Sequence, residues 1–548
     1  MIEALCSGGF AAKEKSDVFM KPSAHRSNRA QHRPSKQGVP PRAEVQHVLG
    51  LLQAQDADQA RSASRVLRNK YPDSPIALDV YGLVARKIGD FEGAKAAFQK
   101  AIERDPKFLP SFVNMANTLG EVGDHMEACA WFRKAIAIKG ETAQLLVGYS
   151  KALDAAGQVD EAQKMIERAL DLEPGNLQAV ASLGHFATYS GDREKAAERY
   201  VKVLERDPRN ANVHRNLTNV KRYKAGDPHI AQMQALLQDP GLSPTDRVHL
   251  AFGLGKALDD CGAHDLAFKS FEEGNRGYFE QKPYDPTHER KLGVLLRSSF
   301  ASPVQPLTIK ESSELRSVFI VAPPRSGTSM LEQILTCSDQ VDAGGELGFM
   351  VQSAFEARAQ VRPPDLAMFR NIRQGYLRRL SEIDHGKPIV VDKQSANNLW
   401  VGHILCAMPE AKIIHLRRDP RAVGWSIYRR IFDSPQMSWA YDLPTLGRYL
   451  KDYEDLMQFW KRRFPNRILT VNYEELTENP QAILQPLVSA IGLDWSDNFL
   501  SFHSAGRTVR TASALQVRKP IYKGSSEQWR SYEPHLGPMV TELDLPWD

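Results

Sequence analysis

Cysteine is scarce in this sequence: five thiols in 548 residues, at Cys6, Cys129, Cys261, Cys337 and Cys406. They stand far apart, with no C-x-x-C pair and no histidines at zinc spacing, which argues against structural zinc and for buried free thiols. No stretch reaches membrane-spanning length without charges, and the N-terminus has no apolar run long enough for a secretory signal. These absences point to a reducing, cytoplasmic setting. A surplus of one charge is missing too. The 71 Lys and Arg exceed the 66 Asp and Glu by 5, which gives no field that would make nucleic acid the default partner. Specificity has to come from local sites.

The length allows about three to four domains. Residues 1–42 are rich in Lys, Arg, Ser, Gln and Pro and poor in aliphatics, so they cannot bury enough surface to offset ordering entropy; a disordered basic tail is expected. It reads as a solvated tail, or an extension from a misassigned start codon, ahead of a segment that touches RNA or a membrane. Over residues 43–280 a period of 34 dominates, with Ala60, Ala94, Ala128, Ala162 and Ala196 in one phase and Gly89, Gly123, Gly157 and Gly191 in another. Phe98, Phe132 and Ile166 share a third phase, Ala101, Ala135 and Ala169 a fourth, while Pro72, Pro106, Pro174 and Pro208 close their repeats. Paired helices fit this pattern: glycine at the turn, small Ala where helices approach, Pro ending the second helix. It is the signature of tetratricopeptide (TPR) repeats. About five or six units would stack into a right-handed superhelix with a concave binding face. The register falters after residue 225 and returns in a degenerate unit over 254–275, where Gly262, Ala267 and Phe271 keep the repeat's spacings.

A Pro-punctuated linker is expected over 281–313, followed over 314–548 by short apolar runs alternating with helical stretches, which indicate an α/β domain with a parallel sheet. Strands are expected at 318–322, 388–391, 412–416 and 467–471, and a helix at 446–464. After the first strand comes Pro323-Pro324-Arg325-Ser326-Gly327-Thr328-Ser329. A guanidinium, three hydroxyls and a glycine that permits close backbone approach stand there at a helix N-terminus, where unpaired N–H groups face outward. A phosphate would fit. The nucleoside-triphosphate form of this loop needs a Lys before the hydroxyl pair, and here Thr328 directly follows Gly327.

A second anion site is suggested where the strand 412–416 ends in Arg417-Arg418-Asp419-Pro420 and a helix carries Ser426 and Arg430, four apart and so on one face. Arg417 and Arg429 are the alternatives within each arginine doublet. The first loop resembles the 5′-phosphosulfate loop of sulfotransferases, and Arg418 with Ser426 eight residues on resembles their 3′-phosphate motif. Together with the repeats, the likeness is greatest to TPR-bearing sulfotransferases of the tyrosylprotein type. The resemblance implies a P-loop-like, three-layer α/β sulfotransferase domain behind an α-helical TPR superhelix, with 3′-phosphoadenosine 5′-phosphosulfate (PAPS) as donor and no metal.

The same resemblance implies roles for single residues. Glu346, in the Gly-rich stretch 21 residues after Arg325, would be the catalytic base. Lys393 would steady the leaving group, with Arg325 stabilising charge beside it. Arg325, Ser326, Gly327, Thr328 and Ser329 would hold the 5′ end of the donor, and Arg418, Ser426 and Arg430 its 3′-phosphate. Tyr473 matches a family tyrosine near the nucleotide. Lys523 lies in a Lys-Gly-x4-Trp stretch ending at Trp529, although Tyr522 departs from the family's Arg, and Ser513 is a further candidate. The implied reaction is sulfuryl transfer to a hydroxyl, on a polypeptide, plausibly a tyrosine, or on a small molecule such as a metabolite or glycan. The repeats would hold the acceptor or a protein partner, brace the domain, or pair two protomers in a homodimer. Two other readings stay open: a P-loop-like phosphotransferase, and a TPR scaffold whose second domain binds nucleotide without turnover.

Overall fold

The computed structural model of the chain describes residues 38–54, 56–309, 316–383, 386–432, 435–504 and 520–544. Ser513 and most of the basic stretch 1–42 lie outside these residues. Two compact units divide the chain between Phe186 and Ala187.

The first unit is helical. Its helices are α1 (Arg42–Gln53), α2 (Ala57–Lys70), α3 (Pro75–Lys87), α4 (Phe91–Arg104), α5 (Leu109–Glu121), α6 (His125–Lys139), α7 (Ala143–Ala155) and α8 (Val159–Leu172), with α9 (Leu177–Ser190) at the division. The 34-residue period has a direct physical expression here. Ala60, Ala94, Ala128 and Ala162 are all buried, and the Asp56, Asp90 and Asp124 carboxylates, one period apart, each accept a backbone N–H of the helix they precede. Gly89, Gly123 and Gly157 turn the chain between paired helices at positive φ.

The second unit opens with α10 (Arg193–Arg206), α11 (Ala211–Val220), α12 (Pro228–Leu237), α13 (Pro244–Asp260) and α14 (His264–Gln281). The degenerate repeat is α13 with α14. Gly255 lies face-on to the Phe271 ring as Gly82 does to Phe98, sixteen residues on in each case, and a Cβ at either glycine would meet the ring closer than 3 Å. The connection expected over 281–313 contains a helix, α15 (Thr287–Ser299). Its Leu292 and Leu296 are buried, and Phe300 just beyond packs edge-on to His403 and Trp460, so the segment is docked by an apolar i, i+4, i+8 stripe that its prolines masked.

The sheet is parallel throughout, with strand order β2-β3-β1-β4-β5: β1 (Arg316–Val321), β2 (Val341–Gly345), β3 (Ile389–Asp392), β4 (Lys412–Arg417) and β5 (Ile468–Asn472). Four strands fall where apolar runs predict them. The edge strand β2 does not announce itself, because Val341-Asp-Ala-Gly-Gly345 has neither alternation nor β-branched density. Helices α16 (Thr328–Leu335), α17 (Phe349–Glu356), α18 (Leu366–Ser381), α19 (Val401–Ala407), α20 (Pro420–Tyr428), α21 (Leu443–Arg463), α22 (Tyr473–Glu478), α23 (Pro480–Ala490) and α24 (Gly537–Leu543) complete the unit.

Among the apolar cores of this unit, two bear on the site. One lies under α16 and α23, against Ile320, Ile414 and Leu416 of the sheet. The other is shared: Phe252, Phe268 and Phe271 of the degenerate repeat form one cluster with Trp425, Tyr441, Leu450 and Tyr532. Asn275 ties the two parts by donating to the Tyr428 carbonyl at 2.8 Å. Among the described residues, no helix is long and apolar enough to cross a membrane.

Candidate active site at the carboxyl ends of the sheet

Every strand of a parallel sheet points its carboxyl end to the same edge, where ligands bind in such folds. Here that edge carries the loop after β1, Glu346 after β2, Lys393 after β3, Arg418 after β4 and Tyr473 after β5. The β1 loop is held in an uncommon backbone state. Arg325 has φ 69° and Gly327 φ 100°, so the chain reverses sharply and delivers the N-terminus of α16 to the edge. Gly327 is required twice over. Its φ lies in the left-handed region, and a Cβ there would sit 2.6 Å from the Tyr473 ring. Replacing it with alanine adds roughly 1–3 kcal/mol of backbone strain before the ring is displaced. Gly327→Ala should therefore lower the melting temperature of this large unit by roughly 1–4 °C; a variant that melts with the wild type would show that the loop relaxes without cost.

Arg418 ties the loop to a distant part of the chain. Its Nη1 donates to the Arg325 carbonyl at 2.9 Å, its Nη2 to the Ser525 carbonyl at 2.8 Å and its Nε to Ser526 Oγ at 3.1 Å. The guanidinium also lies 4.4 Å from the Tyr473 ring centroid, and the Tyr473 hydroxyl is 2.9 Å from Ser525 Oγ. Ser526 in turn donates to Glu474 Oε1 at 2.6 Å. Arg325 is buried and turns its Nε onto Ser426 Oγ at 3.2 Å, so it faces the residue proposed for the 3′-phosphate.

Between these groups opens a cavity of about 720 Å³, counted out to solvent, walled by Arg325, Arg418, Ser426, Arg429, Tyr473 and the indoles of Trp425 and Trp529. Its charge is one-sided. Burial, then repulsion from Arg430, Arg429 and Arg418, pushes Arg325 well below the ordinary arginine range, and burial lowers Arg418 as well. Three guanidiniums on one cavity wall favour a polyanion. Several buried donors also lack protein partners among the described residues: Ser326 Oγ, Arg429 Nε, Trp425 Nε1 and Trp529 Nε1.

The second arginine of the expected trio does not reach this cavity. Arg430 donates from Nη1 to Asn219 Oδ1 on α11 at 3.0 Å, while Arg429 lines the wall, paired with Asp259 at 3.3 Å. The reason is local: α20 ends at Tyr428, so the i, i+4 face shared by Ser426 and a helical Arg430 does not continue that far. Arg417 turns away as well, to Glu454 at 3.1 Å. Lys523 is exposed and does not line the cavity; Tyr522, Ser525, Gln528 and Trp529 of the same stretch do, and Ser526 accepts from Arg418. The Lys-Gly-x4-Trp spacing singles out the stretch, but the alternation within it is set by a turn that spacing does not reveal.

On the other side of the loop, Lys393 Nζ stands 3.3 Å from Glu346 Oε1 and 3.8 Å from Glu332 Oε2. Lys393 is buried, whereas Glu346 is 59% exposed and open to an incoming group. Beside them Asp392 is buried at the end of β3, pushed up to about 7 by burial against the lowering effect of the Gln394 N–H and other bonds. Glu332 and Asp392 carry no sequence signal of their own, being single acids in apolar segments.

The carboxyl edge of this parallel α/β domain thus combines a left-handed loop at a helix N-terminus, a cavity walled by guanidiniums, and the carboxylate–ammonium pair Glu346 and Lys393. Residues 317–497 match the model of the sulfotransferase family, and residues 77–108 and 97–130 match tetratricopeptide-repeat models. Over these residues the chain is similar to a sulfotransferase-family domain preceded by TPR repeats. A protein of Aquifex aeolicus (strain VF5) is 32% identical over 339 residues, covering 59% of this chain and 44% of that relative. The chain thus spans less than half of that protein's length. Protein-tyrosine sulfotransferase 2 of Gallus gallus is 21% identical over 272 residues, 42% of this chain and 70% of the relative. The sulfotransferase domain of the Synechococcus PCC 7002 olefin synthase covers 44% of this chain and 100% of that chain at 20% identity, with a TM-score of 0.33.

Proposed function

We propose that the protein transfers a sulfuryl group from PAPS to an acceptor hydroxyl. The observation that carries this reading is the pairing of two anion sites on one cavity: the α16 N-terminus with its left-handed loop, and Arg418, Arg429 and Ser426 across from it. The residues fit the donor's charges. Unpartnered Arg429 Nε supplies a donor suited to phosphate oxygens, and the rings of Trp425, Trp529 and Tyr473 line the wall beside it. When bound, the donor supplies an activated sulfuryl group on a phosphate leaving group.

The chain's own residues then have separate tasks. Glu346, exposed and next to the loop, takes the proton of the acceptor hydroxyl. Lys393, buried and aimed at Glu346, offers a positive charge where negative charge grows on the transferred group and its leaving oxygen. Arg325 acts from the Ser426 side and helps hold the 3′ end. Thr328 and Ser329 start α16 and hold the 5′ end with their backbone N–H groups. The free thiols among the described residues, Cys129, Cys261, Cys337 and Cys406, suit work in the cytoplasm.

For the acceptor we favour a hydroxyl on a polypeptide, plausibly a tyrosine, because stacked repeats offer far more surface than a small phenol needs and can supply remote binding energy. Calorimetry with PAP, ADP and 5′-AMP, followed by mass spectrometry of products made from labelled PAPS, tests both parts. PAP should bind at least about tenfold tighter than 5′-AMP, through charge-assisted bonds to its extra phosphate. Equal affinities would remove the PAPS assignment. A free phenol sulfated as efficiently as tyrosine-containing polypeptides would remove the polypeptide acceptor and leave the repeats as a brace or as a pairing surface.

A further inference from the structure

Glu332 is an acid where a helix should be apolar. It sits on α16, 4% exposed, on the first full turn after the anion loop and between the buried Leu331 and Gln333. A buried carboxylate without partners would be costly, and this one has two. Its Oε1 accepts the Gly345 N–H at 3.0 Å, and its Oε2 lies 3.8 Å from Lys393 Nζ. The Gly345 carbonyl accepts the Lys393 N–H at 2.9 Å, so both polar groups of Gly345, the residue immediately before Glu346, are held from this cluster. Lys393 Nζ is thus one ammonium between two carboxylates, the buried Glu332 and the exposed Glu346.

We propose that Glu332 is a positioning residue of this site: it anchors the Gly345 peptide that presents Glu346, and it takes over the Lys393 ammonium when Glu346 accepts the acceptor's proton. The inference rests on the sulfotransferase reading for its kinetic part only. In the transfer step the acceptor oxygen forms its bond to sulfur, the bond from sulfur to the phosphate oxygen breaks with its electron pair leaving on that oxygen, and the acceptor proton goes to Glu346. Glu346 is then neutral and no longer a counter-charge for Lys393. Glu332, 3.8 Å away, remains as the negative partner, so the ammonium stays charged beside the leaving oxygen without an uncompensated buried charge. The Glu332 carboxyl is pushed up to about 7, by burial first and by the Glu346 charge, against the lowering pull of Lys393 and the Gly345 N–H, so loss of the Glu346 charge favours its ionised form.

Glu332→Gln keeps the shape and one acceptor but removes the charge. It should leave PAP affinity within about twofold and lower kcat by about tenfold or more, since Lys393 is left without a counter-charge once Glu346 takes the proton. With one carboxylate gone, the ammonium pairs with Glu346 alone, so the acid limb of the kcat/KM profile should move to lower pH. Glu332→Asp, which keeps the charge, should recover part of the loss. A Glu332→Gln enzyme with wild-type kcat and an unmoved acid limb would overturn the proposal. A second arm needs no turnover. In urea unfolding, Glu332→Gln and Lys393→Met should be non-additive by roughly fivefold or more in the unfolding constant, because Lys393→Met alone strands the buried Glu332 carboxylate and Glu332→Gln alone leaves the buried ammonium only the exposed Glu346. Additive losses would overturn the proposal even in an active enzyme. Clear coupling in a protein that makes no sulfated product would instead count against the sulfotransferase reading and leave the Glu332–Lys393 pairing standing.

Discussion

Glu346→Gln is expected to lower turnover by roughly a hundredfold or more while leaving PAP affinity within about twofold of the wild type, the usual scale for loss of a general base. The amide fills the same space and can still accept from Lys393, whose Nζ is 3.3 Å from Oε1. Only proton acceptance is lost. The side chain is 59% exposed, so the substitution should not disturb packing, and a change in melting temperature beyond a degree or two would point to a structural part as well. Single-turnover measurement with preloaded PAPS separates the chemical step from binding. Near-native turnover would move the base elsewhere. The neighbouring acids, Asp392 and Glu332, are both buried and out of reach of an acceptor without rearrangement.

Arg418→Ala is expected to weaken PAP binding by roughly a hundredfold or more and to abolish the preference over 5′-AMP, because charge-assisted bonds contribute about 1.5–3 kcal/mol each. Two losses combine in it. One is the cation facing the cavity; the other is the clamp that joins the Arg325 carbonyl to Ser525 and Ser526. Arg418→Lys tells them apart. Lysine keeps the charge but cannot span three acceptors in one plane, so it should recover little of the affinity. Calorimetry checks both variants, and an Arg418→Ala protein that still prefers PAP would place the 3′-phosphate on other residues, with Arg429 the nearest candidate.

Much of the site was legible before any fold was known, and particular residues show why. Pro323 to Ser329 encodes its conformation locally: an apolar strand before it, glycine at the left-handed position and a helix after it. Arg418 and Ser426 are eight apart across a strand end and one short helix, so their approach needs no knowledge of the rest. Arg430 shows the limit of such reasoning, because its place depended on α20 stopping at Tyr428, and helix ends are weakly written in side-chain pattern. Ser525 and Ser526 show another limit: they reach Arg418 over more than a hundred residues of chain, and no local spacing reports on that.

The division of the chain follows the same line. The period of 34 identified helical pairs from Ala60 to Ala196 and even the faded pair α13 and α14, since each pair is a short-range unit whose Ala, Gly and Phe positions repeat. It did not reveal that Phe252, Phe268 and Phe271 of that faded pair complete a core with Trp425 and Tyr532. A cut in the connection before β1 would open that core.

By itself, the sequence determined the repeat architecture, the parallel α/β domain, the anion loop and the candidates Glu346, Lys393, Arg418 and Ser426. Backbone propensity and short-range periodicity act within a few turns of chain, and they are written residue by residue. The tertiary structure alone decided which arginine of each doublet faces the cavity, that Glu332 stands behind Lys393, and that the last helices before the connection share a core with the α/β part. These depend on side chains far apart in sequence competing for the same space and charge, and that competition is resolved only when the whole unit packs.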